Sequence, residues 1–322
     1  MKHPHKKKLT ITIITIVTVI IAIITAASFY MLGYALTPYK RTHDEAIKRL
    51  YEREPAVIKA WVDSLERCHA LRDTSISIEN RGIMKAILVN ADHPTNRVAL
   101  LIHGYMDRAE SMLHIAYLYH HLMGYNVLMP HCYAHGESEG DHIDMGWNDR
   151  LDVMRWMDVA DNMFHGDSTH TQMVIHGISM GGFITMCISG EKCKPFVKCF
   201  VEDCGYTSVW DEFSSELHNQ FSLPEFPLMY TTSALCKLRY GWSFSEASAL
   251  EQVKKSTLPM LFIHGDADTF VPYPMLNRLY NAKTKGYKEK FIAHSTEHAR
   301  AFTDHQEEYI LHVQNFVNRF IH

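Results

Sequence analysis

The chain has 322 residues, 47% hydrophobic, 11% aromatic and 21% charged, which suits one large globular domain or two small ones and excludes a disordered or collagen-like polymer. Its net charge of -4 conceals an asymmetry: residues 1–36 carry four lysines and no acid, leaving 28 Lys and Arg against 36 Asp and Glu in the remainder. So acidic a body lacks the clustered cations that nucleic acid requires, and that class of partner is set aside.

Residues 1–8 form a short basic tail closed by Lys6-Lys7-Lys8. An uncharged run follows over residues 9–36; as a helix it would reach roughly 42 Å, more than the ~30 Å hydrocarbon core of a bilayer. Its Thr hydroxyls can bond back to carbonyls one turn earlier, so they do not oppose insertion. A secretory signal would have an apolar region of only about 7–15 residues and a small-residue cleavage site, which Thr25-Ala26-Ala27-Ser28 matches poorly. The run is therefore expected to be an uncleaved single-pass transmembrane anchor. The leading lysines favour a cytoplasmic N-terminus and an extracytoplasmic body, although Lys40 and Arg41 on the far flank reduce the contrast.

Residues 37–74 are expected to form a helical connector. Ile47, Leu50, Val57, Ile58, Trp61 and Leu65 recur at helical spacing, and Pro55 divides the stretch or opens its second helix. From residue 75 the texture changes to short apolar runs alternating with helical ones. Strands are predicted at 75–78, 83–90, 98–103, 126–129, 172–176, 197–202, 260–264 and 289–293. Several are near-continuous apolar runs, as parallel strands covered on both faces require. Between them Val153, Trp156, Met157, Ala160 and Phe164 keep the 3.6-residue period. This alternation predicts an α/β domain over 75–322 with a mostly parallel eight-stranded sheet flanked by helices. The stretch from Asp203 to Leu258 has no convincing buried strand but three helical segments, 210–221, 228–240 and 246–253. It is expected to be a small helical cap, about 205–257, with Trp210, Phe213, Phe221 and Tyr230 as candidates for lining a pocket. The seven cysteines, odd in number and without a C-x-x-C, read as free thiols; a disulfide would need an oxidising compartment.

Gly177-Ile178-Ser179-Met180-Gly181 carries the strongest chemical signal. It fits the G-x-S-x-G nucleophile elbow and lies between a predicted strand and a predicted helix, the context that such a turn needs. Glycines flank Ser179 because strand and helix approach too closely for side chains, and the helix start brings its positive dipole end near a developing oxyanion. His264-Gly265-Asp266-Ala267-Asp268 follows a second strand. Asp268 is favoured as the carboxylate that orients a catalytic histidine, Asp266 is expected to cap its own loop, and Asp203 is a third candidate. In His294-Ser295-Thr296-Glu297-His298, after the last strand, His298 is favoured over His294 as general base. The order Ser179, Asp268, His298, each in a loop directly after a strand, is the triad order of α/β-hydrolases. His103-Gly104-Tyr105 closes another strand; the backbone N–H groups of Tyr105 and Met180 are the expected oxyanion hole, and His103 the support of its loop. His131, Cys132, His135, Asp141 and His142 are too irregularly spaced for a zinc site. Neither G-x-G-x-x-G nor G-x-x-x-x-G-K occurs, so no metal or organic cofactor is expected.

Together these motifs resemble the α/β-hydrolase superfamily over nearly all of residues 75–320. The chain is most similar to bacterial membrane-anchored serine hydrolases related to prolyl oligopeptidase catalytic domains and acyl-ester hydrolases. The likeness runs through Gly124-Tyr125-Asn126-Val127-Leu128, His135-Gly136-Glu137-Ser138-Glu139-Gly140, Met145-Gly146-Trp147-Asn148-Asp149-Arg150, Val201-Glu202-Asp203-Cys204-Gly205-Tyr206-Thr207-Ser208 and Glu246-Ala247-Ser248-Ala249-Leu250. The resemblance implies a Ser179–His298–Asp268 triad and an oxyanion hole at Tyr105 and Met180. It departs at His131 and Tyr133-Ala134, where the family carries an Asp and an Arg-Gly, and at Glu297, where it carries a Gly. The expected activity is cleavage of a carboxylic ester or related acyl bond in a small-molecule or lipid-like substrate. The alternatives are a prolyl-oligopeptidase-like peptidase, ranked lower for want of that enzyme's β-propeller, and a catalytically idle binding module.

Overall fold

A strand such as Arg97–Ile102, apolar on both faces, can be satisfied only inside a sheet that helices cover on each side. The computed structural model describes residues 4–168 and 170–322; residues 1–3 of the basic tail and Thr169 lie outside the described residues. Its strands are β1 Arg72–Ile78, β2 Gly82–Val89, β3 Arg97–Ile102, β4 Asn126–Pro130, β5 Gln172–Ile178, β6 Val197–Asp203, β7 Met260–Gly265 and β8 Lys288–Ala293. They form one sheet in the order β1-β2-β4-β3-β5-β6-β7-β8. β2 is antiparallel to both neighbours and every other pair is parallel. All eight predicted strands are present. The largest shift is at β1, which starts at Arg72 because it pairs along the full length of β2, with Arg72 opposite Leu88.

The helices are α1 Pro4–Leu36, α2 His43–Arg53, α3 Ala56–Arg67, α4 Leu113–Ala116, α5 Asp149–Phe164, α6 Met180–Ser189, α7 Val209–Phe221, α8 Leu228–Tyr240, α9 Ala249–Val253, α10 Pro274–Ala282, α11 Ala301–Asp304 and α12 Gln306–Val317. Successive β3 side chains enter opposite cores. Val98, Leu100 and Ile102 join Trp156, Phe183 and Ile184 on one face, whereas Ala99 and Leu101 join Leu113, Leu118 and Phe316 on the other. In the connector, Thr42 and Glu45 form a capping box that starts α2, and Pro55 opens α3. All seven cysteines are free thiols.

α7, α8 and α9 fill the segment expected to form the cap; α9 packs on α6 and α10. The helix expected over 246–253 is shortened to α9: Ser248 pairs in a β-bridge with Ser208 and its side chain accepts from Glu251 N–H, so the helix can begin only after it. α1 is one continuous helix, long and apolar enough over Lys8–Leu36 to cross a membrane. Its two halves differ. Residues 8–23 are exposed all round, whereas Ile24, Ala27, Ser28, Met31, Leu32, Ala35 and Leu36 form a stripe buried or half-buried at helical spacing. The stripe lies against the cap and the sheet's C-terminal edge: Ser28 Oγ is 2.7 Å from Thr231 Oγ1 on α8, and Leu36 O accepts from Ile143 N–H at 2.8 Å.

Candidate active site

Ser179 occupies the turn between β5 and α6 at φ 58°, a region that ordinary side chains avoid. Surrounding packing compels this conformation. Ser179 N–H donates to Asp203 O at 2.8 Å, its carbonyl accepts from Phe183 N–H, and a Cβ on Gly181 would come within 2.0 Å of Ile102 O at the end of β3. Only a glycine at 181 lets α6 start this close to the sheet.

His298, in the loop after β8, lies between Ser179 and Asp268. Its Nε2 is 2.9 Å from Ser179 Oγ and its Nδ1 is 2.7 Å from Asp268 Oδ2. Asp268, in the loop after β7, also accepts from Phe270 N–H and Val271 N–H through Oδ1. Burial alone would raise the Asp268 carboxyl; hydrogen bonds from His264 and His298 outweigh it and hold the group below its ordinary value. An ionised Asp268 fixes the proton on His298 Nδ1, which leaves Nε2 free to accept from the Ser179 hydroxyl.

The other candidates are placed elsewhere. Asp203 points behind the elbow, where its Oδ2 accepts from the Tyr309 hydroxyl at 3.0 Å, and burial pushes its carboxyl up to about 6. His294 is exposed and pairs with Asp266 at 2.8 Å. The expectation that Asp266 caps its own loop is corrected: its carboxylate reaches across to His294 and to Ser295 N–H, tying the loop after β7 to the loop after β8. Cys204 Sγ lies within 4.8 Å of the Asp268 and His298 ligand atoms, but burial keeps the thiol neutral and both His298 nitrogens are engaged, so the trio does not read as a metal site.

The turn after β3 brings Gly104 and Tyr105 against the elbow; a Cβ on Gly104 would lie 3.4 Å from Ser179 Cβ. Among the described residues, neither Tyr105 N–H nor Met180 N–H has a hydrogen-bond acceptor. Three histidines hold this turn to the loop after β4. Cys132 N–H donates to His103 Nε2, Met106 N–H to His135 Nε2 and Ala109 N–H to His131 Nδ1. Each accepting nitrogen must be unprotonated. Burial supplies that condition, lowering His131 and His135 to about 4 and His103 well below its ordinary value. The departure at His131 is thereby explained: an imidazole acceptor, not an ion pair within the loop, anchors this segment. Sequence reasoning foresaw a supporting role for His103 and missed it for His131 and His135. It also missed His264, whose Nε2 lies 3.2 Å from Asp268 Oδ2 and 3.0 Å from Val271 O.

Two cavities meet at Ser179, and Tyr105 and Phe270 line both. One, of about 590 Å³, is mixed in character, with Arg41, Arg49, Arg53, Asp107 and Arg300 in its walls beside Leu50, Met112 and Ile178. The other, of about 390 Å³, is mainly apolar; Met145, Phe213, Leu217, Phe221, Met229 and Phe244 contribute to its walls. Of the four cap aromatics considered from sequence, Phe213 and Phe221 line it, whereas Trp210 and Tyr230 pack edge-on against each other at 4.9 Å outside its walls. Glu212 also reaches this cavity, but burial and then the nearby Glu216 raise its carboxyl well above the ordinary range, so it is neutral. α1 supplies a wall that the sequence reading did not assign to any site, made of Met31, Tyr34 and Ala35.

The chain is similar to several known proteins. The Bacillus subtilis (strain 168) protein YqkD is 27% identical over 280 residues, covering 87% of this chain and 88% of its own. Among solved structures, the Pyrococcus furiosus esterase Pf2001 superposes with a TM-score of 0.67 at 19% identity, over 89% of this chain and 98% of its own. The Pyrococcus horikoshii acylaminoacyl peptidase gives 0.58 at 17% identity, over 78% of this chain and 41% of its own. Both are likenesses of fold. The model of the prolyl oligopeptidase family matches residues 121–322, well over half of the sequence, and the chain belongs to that family of α/β-type serine hydrolases.

Proposed function

We propose that this protein is a membrane-anchored serine esterase. Ser179 Oγ attacks the carbonyl carbon of an acyl ester while His298 Nε2 takes its proton. Tyr105 and Met180 N–H groups receive the oxyanion, and the C–O bond to the leaving alcohol breaks as His298 returns the proton to it. Asp268 holds the imidazole in the required tautomer and stabilises the imidazolium. Water, activated by the same histidine, then cleaves the acyl-enzyme and restores Ser179. No cofactor enters these steps. α1 serves as the anchor, residues 37–74 as the connector, and the hydrolase domain with its cap at about 205–257 stands on the extracytoplasmic side.

The observation that carries this reading is the 2.7 Å and 2.9 Å relay from Asp268 through His298 to Ser179, ending at the junction of two cavities. The apolar cavity favours an acyl chain over a peptide. Membership in the prolyl oligopeptidase family, with the wider arginine-lined cleft on the other side of Ser179, supports peptide cleavage as a second reading. A fluorophosphonate probe applied to the full chain in detergent should label Ser179 and fail to label His298→Ala. Absence of adduct on a folded chain would overturn both readings in favour of an idle binding module. Among ester and peptide substrates of equal acyl bulk, faster peptide turnover would reverse their ranking. Protease added to intact cells should remove the hydrolase domain; full protection until lysis would reverse the topology.

A further inference from the structure

We propose that the substrate is a membrane-resident long-chain acyl ester, drawn directly from the bilayer through a mouth between α1 and α7, with the anchoring helix itself forming one wall of the acyl cavity. The inference rests on the serine-esterase and membrane-anchor readings above and adds to them the source and class of the substrate.

The position of the mouth follows from residues that line the cavity and yet stay open to solvent. Tyr34 on α1 lines it and is 52% exposed; Gln220 on α7 lines it, is exposed, and accepts a hydrogen bond from the Tyr34 hydroxyl at 2.8 Å. Phe221 packs edge-on against the Tyr34 ring. Met31 and Ala35 line the cavity together with Leu228, Met229 and Phe244. The floor reaches Ser179 beside Tyr105, whose hydroxyl donates to Ala35 O at 2.7 Å. One helix thus forms the apolar wall and also holds the side chain of the residue expected to donate to the oxyanion.

The depth of the mouth follows from helix geometry. About 20 residues at 1.5 Å each cross a ~30 Å hydrocarbon core, which carries the helix from Leu9 to Ser28. The buried stripe begins at Ile24, in the last turn and a half of that span. Tyr34, six residues beyond Ser28, stands roughly 9 Å further out, at the headgroup level. Phe29, Tyr30, Tyr34 and Tyr39 are all at least half exposed in this segment, the placement of an interfacial aromatic belt. The neighbouring cap adds Phe226 (74% exposed) and Tyr230 (54% exposed) at the same end of α8. Such a cluster has no reason to face water but fits a lipid surface. An acyl chain entering beside Tyr34 would pass from lipid into the cavity without crossing bulk water.

Two experiments on the full chain test this. The protein is reconstituted into phosphatidylcholine vesicles carrying a fluorogenic palmitoyl ester, and separately mixed as proteoliposomes with protein-free vesicles that carry the same ester. Turnover in the shared bilayer should exceed that across vesicles by about tenfold or more, because co-residence raises the effective concentration. Equal rates would overturn entry from the bilayer. Second, Met31→Trp, which fills the α1 wall, should lower the palmitate-to-butyrate ratio of kcat/KM roughly tenfold, the loss of about two buried methylenes. An unchanged ratio in a folded variant would overturn α1 as a wall; if the variant fails to fold, the vesicle comparison still decides on the unaltered chain. Butyrate hydrolysis that persists in Ser179→Ala would instead mean that the esterase reading itself is wrong, and this inference with it.

Discussion

On one side of Ser179 the walls come from α1, α7, α8 and the segment after α8 and include Met31, Phe213, Phe221, Met229 and Phe244; on the other they carry Arg41, Arg49, Arg53 and Arg300, from α2, the residues before it and the loop after β8. A ligand in the first cavity would bind through apolar area, so discrimination there would be by chain length and nearly indifferent to salt. The arginines of the second would act through charge, which falls off within a Debye length of about 8–10 Å and discriminates by the sign of the group it meets. On the proposed esterase reading, an apolar cavity and an arginine-lined one meeting at Ser179 would suit a substrate with an acyl chain at one end and a polar leaving group at the other. Side chains shared by both walls should affect every substrate, and side chains of one wall only one half of it.

The largest effect is expected where both cavities depend on one group. Asp268→Asn keeps the shape of the site but presents an amide to His298 Nδ1 and favours the wrong tautomer. kcat should fall roughly ten-thousandfold for long and short esters alike. A drop confined to one substrate class would break the idea of a shared nucleophile. Next comes Gly181→Ala. Its Cβ would meet Ile102 O at 2.0 Å, so α6 must retreat from β3 and carry the Met180 N–H away from Tyr105. A displacement of about 1 Å is expected to lower kcat roughly a hundredfold on every ester, with far-ultraviolet circular dichroism preserved.

A third test concerns the turn that bears Tyr105, common to both cavities. His131 and His135 are lowered to about 4 in the fold, below the ordinary 6.5. As pH falls below 6.5 the unfolded chain takes up protons on these rings that the folded chain refuses, so stability is lost progressively down to about pH 4 and no further below it. Each ring contributes a slope of roughly 1.4 kcal/mol per pH unit in that window. Thermal melts between pH 7 and 4 should show a shallower decline in His135→Gln, whose amide oxygen can still accept from Met106 N–H. An identical slope would remove His135 from this role.

Much of this architecture can be read directly from the chain, and the exceptions have physical causes. The parallel strands are legible because burial on both faces leaves uninterrupted runs such as Val98-Ala99-Leu100-Leu101-Ile102. The elbow is legible because steric crowding admits so few residues around Ser179. The buried stripe of α1 is not legible, although Ile24, Ala27, Ser28, Met31, Leu32, Ala35 and Leu36 keep a helical period. In a run that is apolar at nearly every position, lipid-facing and protein-facing residues carry no contrast. The histidines of the Tyr105 turn were hidden for another reason. Each acts as an acceptor from an N–H more than twenty residues away in sequence, and that pairing exists only once β3 and β4 lie side by side. Asp266 was misassigned because a local cap and a bridge to the loop after β8 look the same in sequence. Trp210 and Tyr230 fell outside the cavity because they pack edge-on against each other, a pairing between α7 and α8 that composition does not reveal.

The smallest expected effect belongs to the arginine-lined cleft alone. Arg41 is engaged with Asp107 and Arg300 with Asp304, whereas Arg49 and Arg53 are exposed in the cleft wall without such a carboxylate partner among the described residues. Exposed charges of this kind are each worth about 0.2–1 kcal/mol in pairwise contacts. The double variant Arg49→Ala, Arg53→Ala should therefore raise KM only a few-fold, roughly two- to tenfold, for an ester whose leaving alcohol carries a phosphate or carboxylate. The difference should shrink as salt is raised from 0.05 to about 0.5 M, because the Debye length contracts to a few ångströms. An ester with the same acyl chain and a neutral alcohol should show neither change. Equal losses on both esters, insensitive to salt, would mean that the arginines support the α2 wall mechanically. The leaving group would then have to exit elsewhere, and the division of labour between the two cavities would not hold.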